Sequence, residues 1–157
     1  MRALLRLELR RIDGGLVTAR EAHNSVLRSG ADLLAHMFAM QSTGITHMAV
    51  GSSDAPESQN FATTALTDAT EVPLTPAAFQ VDPPDPVKRV VRVRIRGTVP
   101  AAAAVGTLRE AGLVAHNGAT ASLYNRVVFA PIDKTGDHEL TLFWEVGFPF
   151  GDLQWLL

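Results

Sequence analysis

"VKRVVRVRIRGTVP", Val87 to Pro100, is the stretch whose reading decides the fold. From Val91 onward the residues alternate, with Val91, Val93 and Ile95 on one side and Arg92, Arg94 and Arg96 on the other. A period of two is the signature of a β-strand with one face buried and the other in water. Clean alternation of this kind belongs to antiparallel sheets, because parallel sheets are covered on both faces and read as continuous apolar runs.

The same reading extends along the chain in both directions. Upstream, "VDPPDP" supplies prolines that cannot donate to a ladder, so it bounds the strand. Downstream, "TLREAGLVA", "SLYNRVVFAPI" and "ELTLFWEVGFPF" predict further strands, separated by the turn sequences "HNG" and "DKTGDH". At the N-terminus Leu5, Leu7 and Leu9 alternate with Arg6, Glu8 and Arg10. "DGG" at Asp13–Gly15 then offers a reversal and "LVTARE" a return strand, so a hairpin is predicted over residues 3–22. One stretch has helical spacing instead. Val26, Leu27, Gly30, Leu33, Leu34, Met37 and Phe38 form a single apolar stripe, with Asn24 as N-cap and "STG" at Ser42–Gly44 as the stop. A helix is therefore predicted over residues 24–40. "ITHMAV" resumes as a strand, Gly51–Asn60 reads as an exposed polar loop, and "FATTALTDATEVPLTPAAF" has no sustained period. The expectation is one α+β domain over residues 1–157, mainly an antiparallel sheet or sandwich with one main helix.

The 157 residues suffice for a core without staples, and 46% hydrophobic with 19% charged residues is a globular composition. The formal net charge of -2 and a pI near 6.2 give no global attraction to nucleic acid. The absence of cysteine excludes disulfides, thiolate metal sites and cysteine nucleophiles. "MRALLRLELRRID" lacks the continuous apolar region of a signal peptide, and no run reaches the length of a membrane span, which points to folding in a cytoplasm.

Chemistry-bearing motifs are sparse. His47 has no nucleophile or carboxylate at a motif spacing, so a structural histidine at a strand end is the favoured reading. "VGSSD", Val50–Asp54, offers backbone N–H groups to an anion but lacks the lysine and spacing of a phosphate loop, and reads as a turn. Among His23, His36, His47, His116 and His138 there is no HExxH pair. Asp32 and His36, four apart on a helix, read as a solvated pair rather than metal ligands. No cofactor, no metal site and no catalytic constellation is expected.

Two features point to contacts with other proteins. Arg92, Arg94 and Arg96 stand about 7 Å apart on one strand face. Without interleaved aromatic residues for base stacking they suit carboxylates of a neighbouring strand or subunit better than nucleic acid. Glu145, inside the apolar C-terminal run, is a candidate partner for this ladder. The run "LFWEVGFPFGDLQWLL" concentrates Phe143, Trp144, Phe148, Phe150 and Trp155, aromatics that either close the core or dock on a partner. The candidate interface residues are therefore Arg92, Arg94, Arg96, Phe148, Phe150 and Trp155.

The stretch "ITHMAVGSSDAPESQNFATTALTDAT" resembles the N-terminal domain of bacteriophage tail-collar fibre proteins. There a helix ending in a turn leads into an "ITHMAVGDG"-like strand, a variable loop and a "T-x-L" segment, matched here by Leu33–Phe38, Ile45–Gly51 and Thr64–Leu66. "LREAGLVAHNGATASLYNRVVF" is similar to the family's later strand, turn and return strand, through Glu110, Gly112 and Leu113. The resemblance implies a non-enzymatic virion component that forms a homo-oligomer and docks other phage tail or capsid structural proteins, assembled in a host cytoplasm, with no nucleic acid or membrane partner. The family's proteins continue into a shaft, whereas this chain carries an added N-terminal hairpin and stops at Leu157, which favours a tail, baseplate or fibre-attachment role over receptor binding. A capsid decoration protein is the alternative within that class. A small carbohydrate-binding module using Trp144, Trp155 and Tyr124 as stacking platforms is the alternative from another.

Overall fold

In the computed structural model, which describes residues 2–152, the strand reading of Val87–Pro100 is realised as one member of a two-sheet sandwich. The described strands are β1 (Arg2–Arg11), β2 (Leu16–His23), β3 (Ser25–Val26), β4 (His47–Gly51), β5 (Thr70–Pro73), β6 (Phe79–Val81), β7 (Val90–Val99), β8 (Gly106–Asn117), β9 (Thr120–Leu123), β10 (Asn125–Lys134) and β11 (His138–Pro149). Among the described residues a single α-helix, α1 (Arg28–Phe38), lies between β3 and β4. The first sheet runs β2-β1-β11-β7-β6 and the second β3-β10-β8-β4-β5, with β9 also paired to β8; all of these pairings are antiparallel. The fold is thus α+β, mainly an antiparallel β-sandwich with one helix.

Alternation decides which face each strand buries. In β1, Leu5, Leu7 and Leu9 are buried and face Trp144, Leu142 and Leu140 of β11. On the other side of β11, Trp144 pairs with Ile95 of β7. These residues form one core with Met48 and Val50 of β4, Ala111 and Leu113 of β8, and Val127 and Ile132 of β10. Each fully buried Leu or Ile in such a core contributes roughly 1.5–3 kcal/mol through removal of apolar surface from water. The second sheet is also covered on part of its outer face, where Leu27, Leu66 and Leu123 pack over Ala49 and Val114. That double burial explains why "GLVA" in β8 reads as a continuous apolar run.

The helix differs from its sequence expectation at both ends. Asn24 does not cap it. Its N–H donates to the Ala3 carbonyl (3.1 Å) and its Oδ1 accepts from the Ala3 N–H (2.9 Å), so it closes the end of β1 instead. Val26 belongs to β3, and the extended residue before the helix is Leu27, which has no side-chain cap. Gly30 is needed because a Cβ there would collide with the Tyr124 carbonyl. At the other end the chain leaves the helix through Met40, at a left-handed φ of 58°, ahead of "STG". Phe38, expected on the apolar stripe, is 94% exposed.

The segment without a sustained period contains β5 and one 3₁₀ turn, Pro76–Ala78, whose first residue is a proline with no N–H to satisfy. No helix among the described residues is long and apolar enough to cross a membrane.

Candidate functional site

The outer face of the first sheet carries the arginine ladder. Each guanidinium has a different local partner. Arg92 Nε reaches Glu145 Oε1 of β11 at 3.1 Å, with Asp85 Oδ2 at 3.5 Å on its other side. Arg94 Nε reaches Asp82 Oδ2 at 2.8 Å. Among the described residues Arg96 meets no carboxylate, but it lies over the Phe143 ring, 5.4 Å from its centroid, within cation–π range. The pairing of Glu145 with the ladder therefore forms through Arg92, although Arg94 is its cross-strand neighbour. Nearby on β1, Glu8 sits between Arg6 and Arg10. The hydrogen bond from Arg10, helped by the charges of both arginines, holds its carboxyl below the ordinary value against the opposing effect of desolvation. Asp85 is held low as well, chiefly by the Lys88 N–H and then by the Val87 N–H and Arg92. The face is thus charged but locally compensated, with Arg94 and Arg96 exposed. Two depressions indent it. One of ≈ 490 Å³ is lined by Arg6, Glu21, Phe79, Arg94, Phe143 and Glu145, and one of ≈ 590 Å³ by Leu4, His23, Arg89, Arg92, Glu145 and Pro149.

The C-terminal aromatics divide by the pleat. Trp144 is buried in the core, while Phe143 faces outward beneath Arg96. Phe148 is half-buried and helps line an apolar cleft of ≈ 370 Å³ between the sheets, with Leu34 and Met37 of α1, Ile45, Val93 and Tyr124. Phe150 is 39% exposed, and Trp155 lies outside the described residues. Trp144 and Tyr124, being 2% and 3% exposed, cannot serve as sugar-stacking platforms. Burial pushes the Tyr124 phenol up to about 12.

The turn at "VGSSD" has a role that spacing alone does not reveal. Glu110 of β8 is buried, and its Oε1 accepts from the Thr67 N–H at 2.7 Å and the Ser53 N–H at 3.4 Å. The anion met by these backbone groups is therefore a side chain of the same protein. Its Oε2 accepts from Arg126 Nε at 2.6 Å. Arg126 also donates to the carbonyls of Ala55 and Ser53 and to Glu57 Oε1. One buried guanidinium thus anchors the segment from Ser53 to Glu57 to the sheet, while Asp54, Ala55 and Pro56 within it are exposed as the loop reading expected. Gly51 completes the arrangement, since a Cβ there would lie 2.5 Å from Glu110 Oε1 and 2.8 Å from the Thr67 carbonyl. A second buried cation, Lys134, donates to the carbonyls of Pro100, Ala101 and Ala103 and so ties down the alanine run. Burial lowers its pKa.

The histidines fall in separate places. His36 contacts Asp32 on the exposed side of α1, an ordinary helix-surface pair. His47, at the start of β4, packs edge-to-face on His116 with ring centroids 4.5 Å apart, and His116 Nε2 lies 2.6 Å from Glu71 Oε2. This second grouping was not legible in the sequence, because Glu71 and His116 are 45 residues apart and meet only through the sheet.

The class defined by fold and surface is an α+β sandwich with one uncovered, arginine-bearing sheet face and one clamped loop. No protein-family model, no curated protein and no solved structure matches the chain.

Proposed function

We propose that this chain is a structural protein of a phage-like particle, in its tail or baseplate, which associates with itself and docks other subunits. The observation that carries the reading is where the resemblance to the tail-collar fibre family falls. Its two stretches, distant in sequence, are hydrogen-bonded neighbours, with Met48 opposite Leu113, Ala49 opposite Gly112 and Gly51 opposite Glu110. Gly51 leaves room for the Glu110 carboxylate, which in turn binds the loop that separates the parts of the first stretch. The residues that carry the resemblance are packed neighbours, which supports this reading.

Docking has a natural location on the outer face of the first sheet. Arginine and aromatic side chains are enriched at protein interfaces, and Arg96 over Phe143 offers both at one point. A stable interface removes about 1,200–2,000 Å² from water, and repeated copies on a particle multiply weaker contacts through avidity.

Mass measurement of the purified chain, together with binding to isolated tail components, tests the reading. The expected result is a multiple of 16.9 kDa, with tail binding weakened when Phe143 and Arg96 are replaced together by alanine. A monomer at high concentration that binds neither tail nor capsid proteins would overturn it.

A further inference from the structure

We propose that His47, Glu71 and His116 form a binding site for a divalent transition-metal ion, Zn²⁺ in the first place. The three residues come from adjacent strands, β5, β4 and β8, and one potential ligand atom from each lies within 4.8 Å of the other two. In a tetrahedral Zn²⁺ site with bonds of roughly 2.0–2.1 Å, ligand atoms sit about 3.4 Å apart. The His116 and Glu71 ligand atoms lie 2.6 Å apart and no separation in the cluster exceeds 4.8 Å, so the three atoms lie near the required spacing. Small side-chain rotations therefore suffice to seat an ion.

The surroundings are those of a metal site. Thr46 Oγ1 lies 2.8 Å from His47 Nδ1, which leaves Nε2 as the nitrogen available to ligate. The same hydroxyl oxygen accepts from the His116 N–H at 2.9 Å, and Thr43 Oγ1 donates to the His116 carbonyl at 2.9 Å. One threonine thus fixes both a ring orientation and the backbone of the second histidine, the kind of outer support that orients metal ligands. His47 and His116 are half-buried and Glu71 is exposed, so an ion can enter from solvent and keep one position for water.

The donor set selects the ion. Two imidazole nitrogens and one carboxylate oxygen suit Zn²⁺ and its neighbours in the transition series, whereas Ca²⁺ and Mg²⁺ prefer all-oxygen shells. The structural effect would be to tie β5, a four-residue edge strand, across β4 to β8.

The test uses the untagged full chain with Zn²⁺ alone by titration calorimetry and Co²⁺ alone by visible absorption. Expected are one ion per chain, the intense absorption of four-coordinate Co²⁺, and a Zn²⁺-dependent rise in melting temperature that Mg²⁺ does not reproduce. Glu71→Gln, a near-isosteric change at an exposed position that leaves the fold intact, should weaken binding by more than the roughly 10–100-fold cost of losing an outer-shell partner. His116→Ala should do the same, and His36→Ala should leave binding unchanged. Absence of one-to-one Zn²⁺ binding, or binding that survives Glu71→Gln at full strength or disappears with His36→Ala, would overturn the proposal.

Discussion

At the scale of single residues, the pair of Arg126 and Glu110 is buried, with Nε and Oε2 2.6 Å apart. Removing one partner of such a pair leaves the other charged and dry, which costs about 3–5 kcal/mol. Arg126→Met should therefore lower stability by about that amount in urea denaturation, and it should open the Ser53–Glu57 segment to proteolysis before the core yields. Tyr124 gives a second readout, because it is the only tyrosine in the chain. Its absorption should titrate with a midpoint of about 12 in the folded protein and return to the ordinary value of 10.0 in urea. The raised value has a definite sign. Between those two pH values the unfolded chain has lost the phenolic proton and the folded chain retains it, so stability is full below 10 and falls as pH rises toward 12. Neither Arg126 nor Tyr124 had a pattern in the sequence that announced these roles. A buried ion pair is written in two residues whose spacing, sixteen in this case, has no periodic meaning.

At the scale of elements, the long strands were legible, whereas the short strands β3, β5 and β6 and the helix ends were not. Alternation is a local property, so Leu5, Leu7 and Leu9 or Val93 and Ile95 declare their inner face without knowing which strand lies opposite. Asn24 has the side chain of a helix cap, but its amide found a strand terminus at Ala3 and the short strand β3 took the place of the first helical turn. Such competition is decided by tertiary partners that no window of sequence contains. The arginine ladder allows a direct comparison of its two faces. Ile95→Ala should cost about 2–5 kcal/mol, because it opens a cavity beside Trp144. Arg94→Gln should change stability by no more than about 1 kcal/mol, since the Arg94 side chain that pairs with Asp82 is 59% exposed. Chemical denaturation of the two variants side by side checks both values. If the outer face is the docking face, only the arginine variant will alter assembly while leaving the fold in place.

At the scale of the whole molecule, the sandwich is organised around strands from opposite ends of the described chain. β1 is paired over its full length with β11 near the middle of the first sheet, with Arg2 opposite Gly147 and Arg11 opposite His138. Deleting the hairpin of β1 and β2 should therefore abolish the cooperative thermal transition instead of trimming an appendage, as circular dichroism would show. The sequence identified that hairpin but had no means of naming its partner, because register between distant strands depends on how the intervening residues fold. The pairing also bears on how the protein is made. During synthesis β1 leaves the ribosome well before β11, the strand that pairs Leu5, Leu7 and Leu9 with Trp144, Leu142 and Leu140 and that follows β10. For that interval a greasy ribbon waits unpaired on one edge, a natural substrate for a holding chaperone and a point at which crowded nascent chains can stick to one another.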